Sequence, residues 1–367
     1  MRQALRRYLE GLDPYSTYLS PREYEAHKNS GKAGYSGVGM DVYREPSGAL
    51  VCLPHPGSPA EKAGIHSGDR LVSVDGRQVA GLSLLAVGDL VRGPVGSRVS
   101  LVLRTPQGER RVRLQRRALD NTAVSHSRRP GLLLVRVLRF DSSTPDLLRQ
   151  ALAQAKRGDK LVIDLRSCRG GSLFAGVDAA DLLLPLGKTI VTLRRREESK
   201  TYRSRQAPLK LEGPLFLWQD RYTASSAELM IAALVQNQVA RSVGTVSFGK
   251  ASTQKVFPLQ DGSALVLTDG QLLAPDGHTW NHKGLRPSLP LPGENPGLAQ
   301  YLAATTGPAP GPRVAACPGP GQRRGPGHLF EKGGPPARCL GHQLLRLPGH
   351  APRQRPGRAG TDPGLCR

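Results

Sequence analysis

The stretch Asp220-Arg221-Tyr222-Thr223-Ala224-Ser225-Ser226-Ala227-Glu228 sets small hydroxylated residues where an apolar strand passes into a helix. A hydroxyl at that position stands above the end of a sheet and could act as a nucleophile; a Ser there serves equally well as a helix N-cap. Lys250, in Phe248-Gly249-Lys250-Ala251-Ser252-Thr253-Gln254, follows a second apolar stretch. A lysine is a general base only when neutral, so its pKa must fall about three units from ~10.4, a differential of roughly 4 kcal/mol. Burial against Phe248 and Val256 could supply that shift, whereas a lysine exposed beside a glycine turn would stay charged. A third stretch, Asp164-Leu165-Arg166-Ser167-Cys168-Arg169-Gly170-Gly171, carries a buried strand into paired glycines. Those glycines are either a tight strand–helix turn or a pair of amides turned toward a developing oxyanion.

The elements that must position these residues follow from periodicity. Gly131–Val137, Leu161–Leu165 and Leu215–Trp218 read as strands, and Asp146–Lys156, Phe174–Leu184 and Ala227–Gln236 as helices. Strands alternating with helices at these lengths predict an α/β core with a largely parallel sheet, whose ligands sit beyond the carboxyl ends of the strands. Upstream, Met40–Tyr43, Leu50–Leu53, Leu71–Val74, Val99–Leu103 and Arg111–Leu114 are short strands punctuated by glycine, with a helix over Leu84–Val91. The first 33 residues read as a short helical segment stopped at Asp13-Pro14, with a second helix opening at Pro21.

Composition sets the outer limits. Residues 306–367 hold 13 Gly and 12 Pro among 62 residues, which predicts a disordered Gly/Pro/Arg-rich tail. The net charge of +23 is scattered over strands and loops and aromatics are only 5% of the chain, which argues against nucleic acid as a partner. Weak attraction to an anionic envelope surface remains as a side effect. Cys52, Cys168, Cys317, Cys339 and Cys366 form neither a disulfide framework nor a CxxC site. His278 and His282 fall in a Gly- and Asn-containing turn and read as loop residues, so no metal or cofactor is expected. The segment Met1–Gly11 is basic and lacks a following apolar stretch, so the chain is expected to be truncated at its N-terminus.

Two resemblances organise these observations. Pro56-Gly57-Ser58-Pro59-Ala60 and Gly68-Asp69-x-Leu71-x-x-Val74-Asp75-Gly76 resemble a PDZ domain over about residues 34–117. That resemblance makes the loop Gly37, Val38, Gly39, Met40 the expected holder of a peptide's terminal carboxylate, with the adjacent strand edge pairing with the peptide backbone. Leu12–Leu19, this module, Asp164–Gly171, Thr223–Glu228, Phe248–Gln254 and Asp276-Gly277…Lys283-Gly284-Leu285-Arg286-Pro287 also occur in the order found in carboxyl-terminal processing peptidases, which the chain resembles over about residues 9–291. The resemblance implies Ser225 as nucleophile, three positions before Glu228, and Lys250 as base, 25 positions later. It further implies Gln254 as the residue that orients Lys250, and an oxyanion hole from Ser226 with Gly170 or Gly171.

Substrates would then be proteins or peptides with exposed C-termini, cut by a serine endopeptidase outside the cytoplasm, in the periplasm or cell envelope. The expected organisation is a helical segment (1–33), a PDZ-like module (34–117), a mixed α/β peptidase core (118–304) and the tail (305–367). The chain departs from the family at Cys168-Arg169, where Asn-Pro is common. Arg169 either lowers the lysine pKa further or blocks the cleft, and the second outcome would leave a catalytically silent peptide-binding scaffold.

Overall fold

A computed structural model of the chain describes residues 2–29, 36–45, 47–119 and 122–307. Residues 308–367 of the expected disordered tail lie outside the described residues, as do Cys317, Cys339 and Cys366, whereas Thr305 and Thr306 belong to the helix Leu298–Thr306; Cys52 and Cys168 are buried free thiols.

The central sheet has six strands in the order Val124–Arg129, Leu132–Val137, Lys160–Asp164, Leu215–Gln219, Arg241–Gly244 and Leu289–Pro290. Its first pair is antiparallel and the remaining four pairings are parallel. The period of two along each strand sorts the side chains. Leu133, Val135, Leu161, Ile163, Leu215 and Leu217 face the larger core, with the helices Thr144–Leu152, Leu173–Asp181 and Ser226–Gln236. Leu132, Val162, Phe216, Trp218 and Val243 face the other way, onto Tyr301 of the helix Leu298–Thr306. Burial on both faces explains why these strands read as continuous apolar runs, the pattern a parallel sheet requires.

A second sheet is antiparallel. It joins Thr17–Leu19, Ala264–Leu273, Thr189–Arg194 and Ser199–Arg203 in that order, with Ser252–Pro258 paired along Ala264–Leu273. Periodicity did not reveal this sheet, and it corrects the helix–turn–helix reading of the N-terminus. Thr17–Leu19 is a strand between the helices Arg2–Glu10 and Pro21–Asn29. Its partners are Val266, Leu265 and Ala264, far downstream in the chain, so no local pattern announces it.

The upstream module is a sheet in the order Met40–Arg44, Leu50–Pro54, Arg70–Val74, Arg98–Thr105 and Gly108–Gln115, with Arg77–Gln78 paired to the third strand. The helix Leu84–Val91 covers it over a core that includes Val38, Leu50, Ile65, Val87 and Leu101. Met40–Arg44 is an edge strand, so one row of its backbone groups has no neighbour within its own sheet.

Candidate active site

Three loops leave the carboxyl ends of neighbouring parallel strands and meet. The loop after Leu215–Gln219 is shaped by Asp220, whose carboxylate accepts from Tyr222 N at 3.0 Å and whose N–H donates to Thr223 Oγ1 at 2.9 Å. The same carboxylate accepts from Ser167 N at 2.9 Å and Ser167 Oγ at 3.0 Å, which ties it to the loop after Lys160–Asp164. Thr223 Oγ1 donates to Leu165 O and Ala224 N to Cys168 O, each at 2.9 Å, closing the seam between the two loops.

Ser225 then takes φ 58° and ψ −121° immediately before the helix that starts at Ser226. An N-cap residue sits in the β region, so this backbone departs from ordinary capping geometry. A non-glycine residue held there stores about 1–3 kcal/mol of strain, the kind of turn that presents a nucleophile above a sheet.

The strain is held by Glu228, one turn along the helix. Its fully buried carboxylate accepts from Ser225 N at 2.9 Å and Lys250 N at 2.8 Å through one oxygen. The other oxygen accepts from Gly249 N and Ser247 Oγ, each at 2.6 Å. Burial pushes the Glu228 pKa up while the four donors pull it down, and the net direction is upward. One carboxylate thus fixes the main chains of Ser225 and Lys250 together. Sequence reading used Glu228 only as a spacing marker; its place at the third helical position was the signal that it reaches back to the residue before the helix.

Lys250 is half-buried, with Nζ 4.8 Å from the centre of the Tyr15 ring. Burial lowers its pKa and the Arg169 cation lowers it further, against the opposing charges of Glu228 and Asp13. Tyr15 belongs to the Leu12–Leu19 stretch, for which the sequence offered no role. Asp13 holds it by accepting from Tyr15 N at 2.8 Å and Ser16 N at 2.9 Å. Thr268 Oγ1 donates to the same carboxylate at 2.9 Å, and Thr268 N donates to Ser16 Oγ at 3.0 Å, which docks the turn on the antiparallel sheet. Burial raises the Tyr15 pKa to about 12, so this ring stays a neutral lid over the lysine at physiological pH.

The paired glycines lie against the same turn. A Cβ on Gly170 would come within 2.8 Å of both Ser225 Cβ and Ser226 N. Gly171 forms a parallel bridge with Phe140, in which Phe140 N donates to Gly170 O at 3.0 Å and Ser172 N to Phe140 O at 2.8 Å. That bridge uses the residues on either side of Gly171, so its own N–H points to the opposite side of the strand. Ser226 Oγ donates to Ser172 O at 3.0 Å and locks the loop to the helix. A Cβ on Gly171, at φ 147°, would stand 2.1 Å from Phe140 O, and backbone cannot yield that far. Gly171→Ala is therefore expected to destabilise the fold by about 3 kcal/mol, read as a lower urea midpoint with an unchanged slope.

Gln254 lies on the strand Ser252–Pro258. Its amide donates to Ser252 Oγ at 3.0 Å and Thr268 Oγ1 at 3.4 Å, and the ring over Lys250 Nζ is that of Tyr15. Gln254 also lines a cleft with Leu173, Phe174, Tyr202 and Asp269.

The loop at residues 37–40 runs along the upstream module. Gly37 pairs with Arg117, Val38 O accepts from Ala60 N and Gly39 O from His55 N, each at 2.9 Å, and Met40 opens the edge strand. The four residues line a cleft of about 690 Å³ with Leu84, Leu85 and Val91 of the covering helix and with Leu19 and Ala26 of the N-terminal segment.

Comparison with known proteins decides the family. Residues 131–291 match the profile of peptidase family S41, and residues 50–105 match that of a PDZ domain. A carboxyl-terminal-processing protease from Picosynechococcus sp. is 31% identical over 305 residues, covering 80% of this chain and 73% of that protein. The chain belongs to peptidase family S41.

As an S41 serine-type peptidase it also resembles a "Probable CtpA-like serine protease" from Staphylococcus aureus, at 28% identity over 283 residues. The alignment spans 76% of this chain but only 57% of that relative. The solved photosystem II D1 C-terminal processing protease matches with a TM-score of 0.67 and 30% identity, covering 79% of this chain and 81% of that one. The upstream sheet is thus the PDZ domain and the parallel sheet belongs to the peptidase core. Among the described residues, no helix is long and apolar enough to cross a membrane.

Proposed function

We propose that this S41 peptidase cuts proteins near their C-termini with Ser225 as nucleophile and Lys250 as its base. The observation that carries the reading is the Glu228 carboxylate, which accepts from the backbone of both residues and sets them in one rigid frame. Ser225 Oγ attacks the substrate carbonyl while neutral Lys250 Nζ takes its proton. The oxyanion develops beside the N–H groups of Gly171 and Ser226, which hold it. Lys250 next gives its proton to the departing amine, leaving an acyl ester on Ser225. It then draws a proton from the water that hydrolyses that ester, and returns it to Ser225 Oγ. The lowered pKa of Lys250 lets the amine enter this cycle neutral at a pH below its ordinary value.

The PDZ domain receives the substrate's terminus. Its loop at residues 37–40 accepts the carboxylate, and the substrate pairs with the free edge of Met40–Arg44. Such a peptide runs along the strand toward Tyr43, which reaches the catalytic loops through the small apolar cluster of Val51, Leu53 and Tyr222. Family membership supports a site of action outside the cytoplasm, where unfolded or extended protein tails would be the substrates.

An unfolded protein with an apolar tail provides the test. The wild-type chain is expected to cleave it, and Ser225→Ala and Lys250→Ala are not. Amidating the substrate's terminal carboxylate should lower kcat/KM about tenfold, the loss of one charge-assisted hydrogen-bonded contact. Equal cleavage by all three proteins would remove the mechanism, and no cleavage by any would leave a peptide-binding scaffold.

A further inference from the structure

Arg169 lies at the junction of the PDZ domain and the catalytic loops. Its guanidinium carbon is 3.9 Å from the centre of the Tyr43 ring and 4.3 Å from that of Phe248. The two rings meet edge to face, with centres 5.6 Å apart at 89°. Arg169 Nη1 donates to Tyr222 O at 3.2 Å. Tyr43 is on the PDZ edge strand, and Phe248 is two residues before Lys250.

We propose that Arg169 is a positioning residue that links the peptide-binding edge strand to the loop carrying Lys250, its cation seated in the corner formed by the Tyr43 and Phe248 rings. The inference rests on the reading of Lys250 as base.

The main chain on either side of Arg169 is pinned. Cys168 O accepts from Ala224 N, and Gly170 is packed against Ser225 and Ser226. Freedom is left to the side chain, and its two walls come from the two domains. A planar cation in the corner of two perpendicular rings is held by its delocalised charge and its shape together, a role an ammonium fills poorly.

The charges around the lysine give the direction of the effect. Glu228 faces it from the helix Ser226–Gln236, Asp13 and the neutral Tyr15 from the N-terminal segment, and Arg169 from the loop after Lys160–Asp164. Glu228 and Asp13 favour the ammonium, whereas Arg169 disfavours it. Without Arg169 only burial opposes the two carboxylates, and the lysine holds its proton to higher pH. A peptide paired with Met40–Arg44 fixes Tyr43, and through it the cation. Arg169 therefore fills the seam between the domains without needing to block the cleft.

The test is the pH profile of kcat/KM on a quenched peptide with a free carboxyl terminus, measured for Arg169→Gln, Arg169→Lys, Tyr43→Ala, Tyr43→Ala/Arg169→Gln and Lys250→Ala. Arg169→Gln is expected to move the acidic limb upward by about one pH unit. Arg169→Lys, which keeps the charge but seats less firmly against the rings, should shift the limb by less than Arg169→Gln. Tyr43→Ala should shift it in the same direction by less, and the double variant should go no further than Arg169→Gln alone. An unmoved limb in Arg169→Gln with Lys250→Ala inactive would overturn this inference and leave the catalytic reading standing. Additive shifts in the double variant would overturn the link to the edge strand. Activity retained by Lys250→Ala would overturn both readings.

Discussion

Lys250→Ala is expected to lower kcat by at least about 10³-fold while leaving the unfolding midpoint close to that of the wild type. The separation of the two effects follows from how the residue is held. Glu228 grips Lys250 through its backbone N–H, which alanine retains, so the frame around Ser225 persists. What alanine removes is the amine that takes the serine proton. Lys250→Arg sharpens the test, because a guanidinium keeps the charge and does not become neutral in the working pH range. It should be as inactive as the alanine variant. The pH dependence has a definite sign: the lysine pKa is lowered, so the rate rises with pH as the ammonium loses its proton, and the rise lies below the ordinary lysine value.

Glu228→Ala is expected to act on stability as strongly as the lysine variant acts on rate. It would leave Ser225 N, Ser247 Oγ, Gly249 N and Lys250 N around a buried cavity, each having lost its acceptor. A buried donor left unsatisfied costs about 1–3 kcal/mol, so the four together approach the whole stability of an ordinary domain. Partial relaxation and entering water reduce that sum, and a loss of about 4 kcal/mol is the expected outcome of urea unfolding. Glu228→Gln keeps the shape and one strong acceptor but turns an NH2 toward donors. It should fall between the two, at about 2 kcal/mol. Wild-type stability in both variants would show that the carboxylate does not hold the turn.

The parts of this fold that were legible in sequence are those whose side chains are buried on both faces or set by local spacing. Leu161–Leu165 and Leu215–Trp218 announced the parallel sheet because helices cover it on either side. Ser225 and Lys250 were singled out by the family resemblance, through their spacing from Glu228 and from each other. The antiparallel sheet was hidden for the opposite reason. Ser199–Arg203 is almost wholly exposed and Ser252–Pro258 is a mixture of half-buried and exposed positions, leaving no apolar alternation to read. Tyr15 reaches Lys250 through a turn docked on Thr268, a pairing that neither local propensity nor periodicity encodes. Gln254 was placed by its spacing from Lys250, and its amide is held by Ser252 and Thr268, a contact no local pattern encodes. Arg169 was visible as a charge beside the paired glycines. Its two aromatic walls come from distant parts of the chain, so only the folded arrangement separates a stacked cation from one lying across the cleft.

The most direct measurement is labelling by an alkyl fluorophosphonate, followed by intact mass and peptide mapping across a pH series. A nucleophilic Ser225 activated by neutral Lys250 predicts a single adduct, mapped to Ser225, forming faster as pH rises and absent from Lys250→Ala and Lys250→Arg. An adduct on Ser226 or another residue, or labelling of Ser225 at an undiminished rate in Lys250→Ala, would contradict the account.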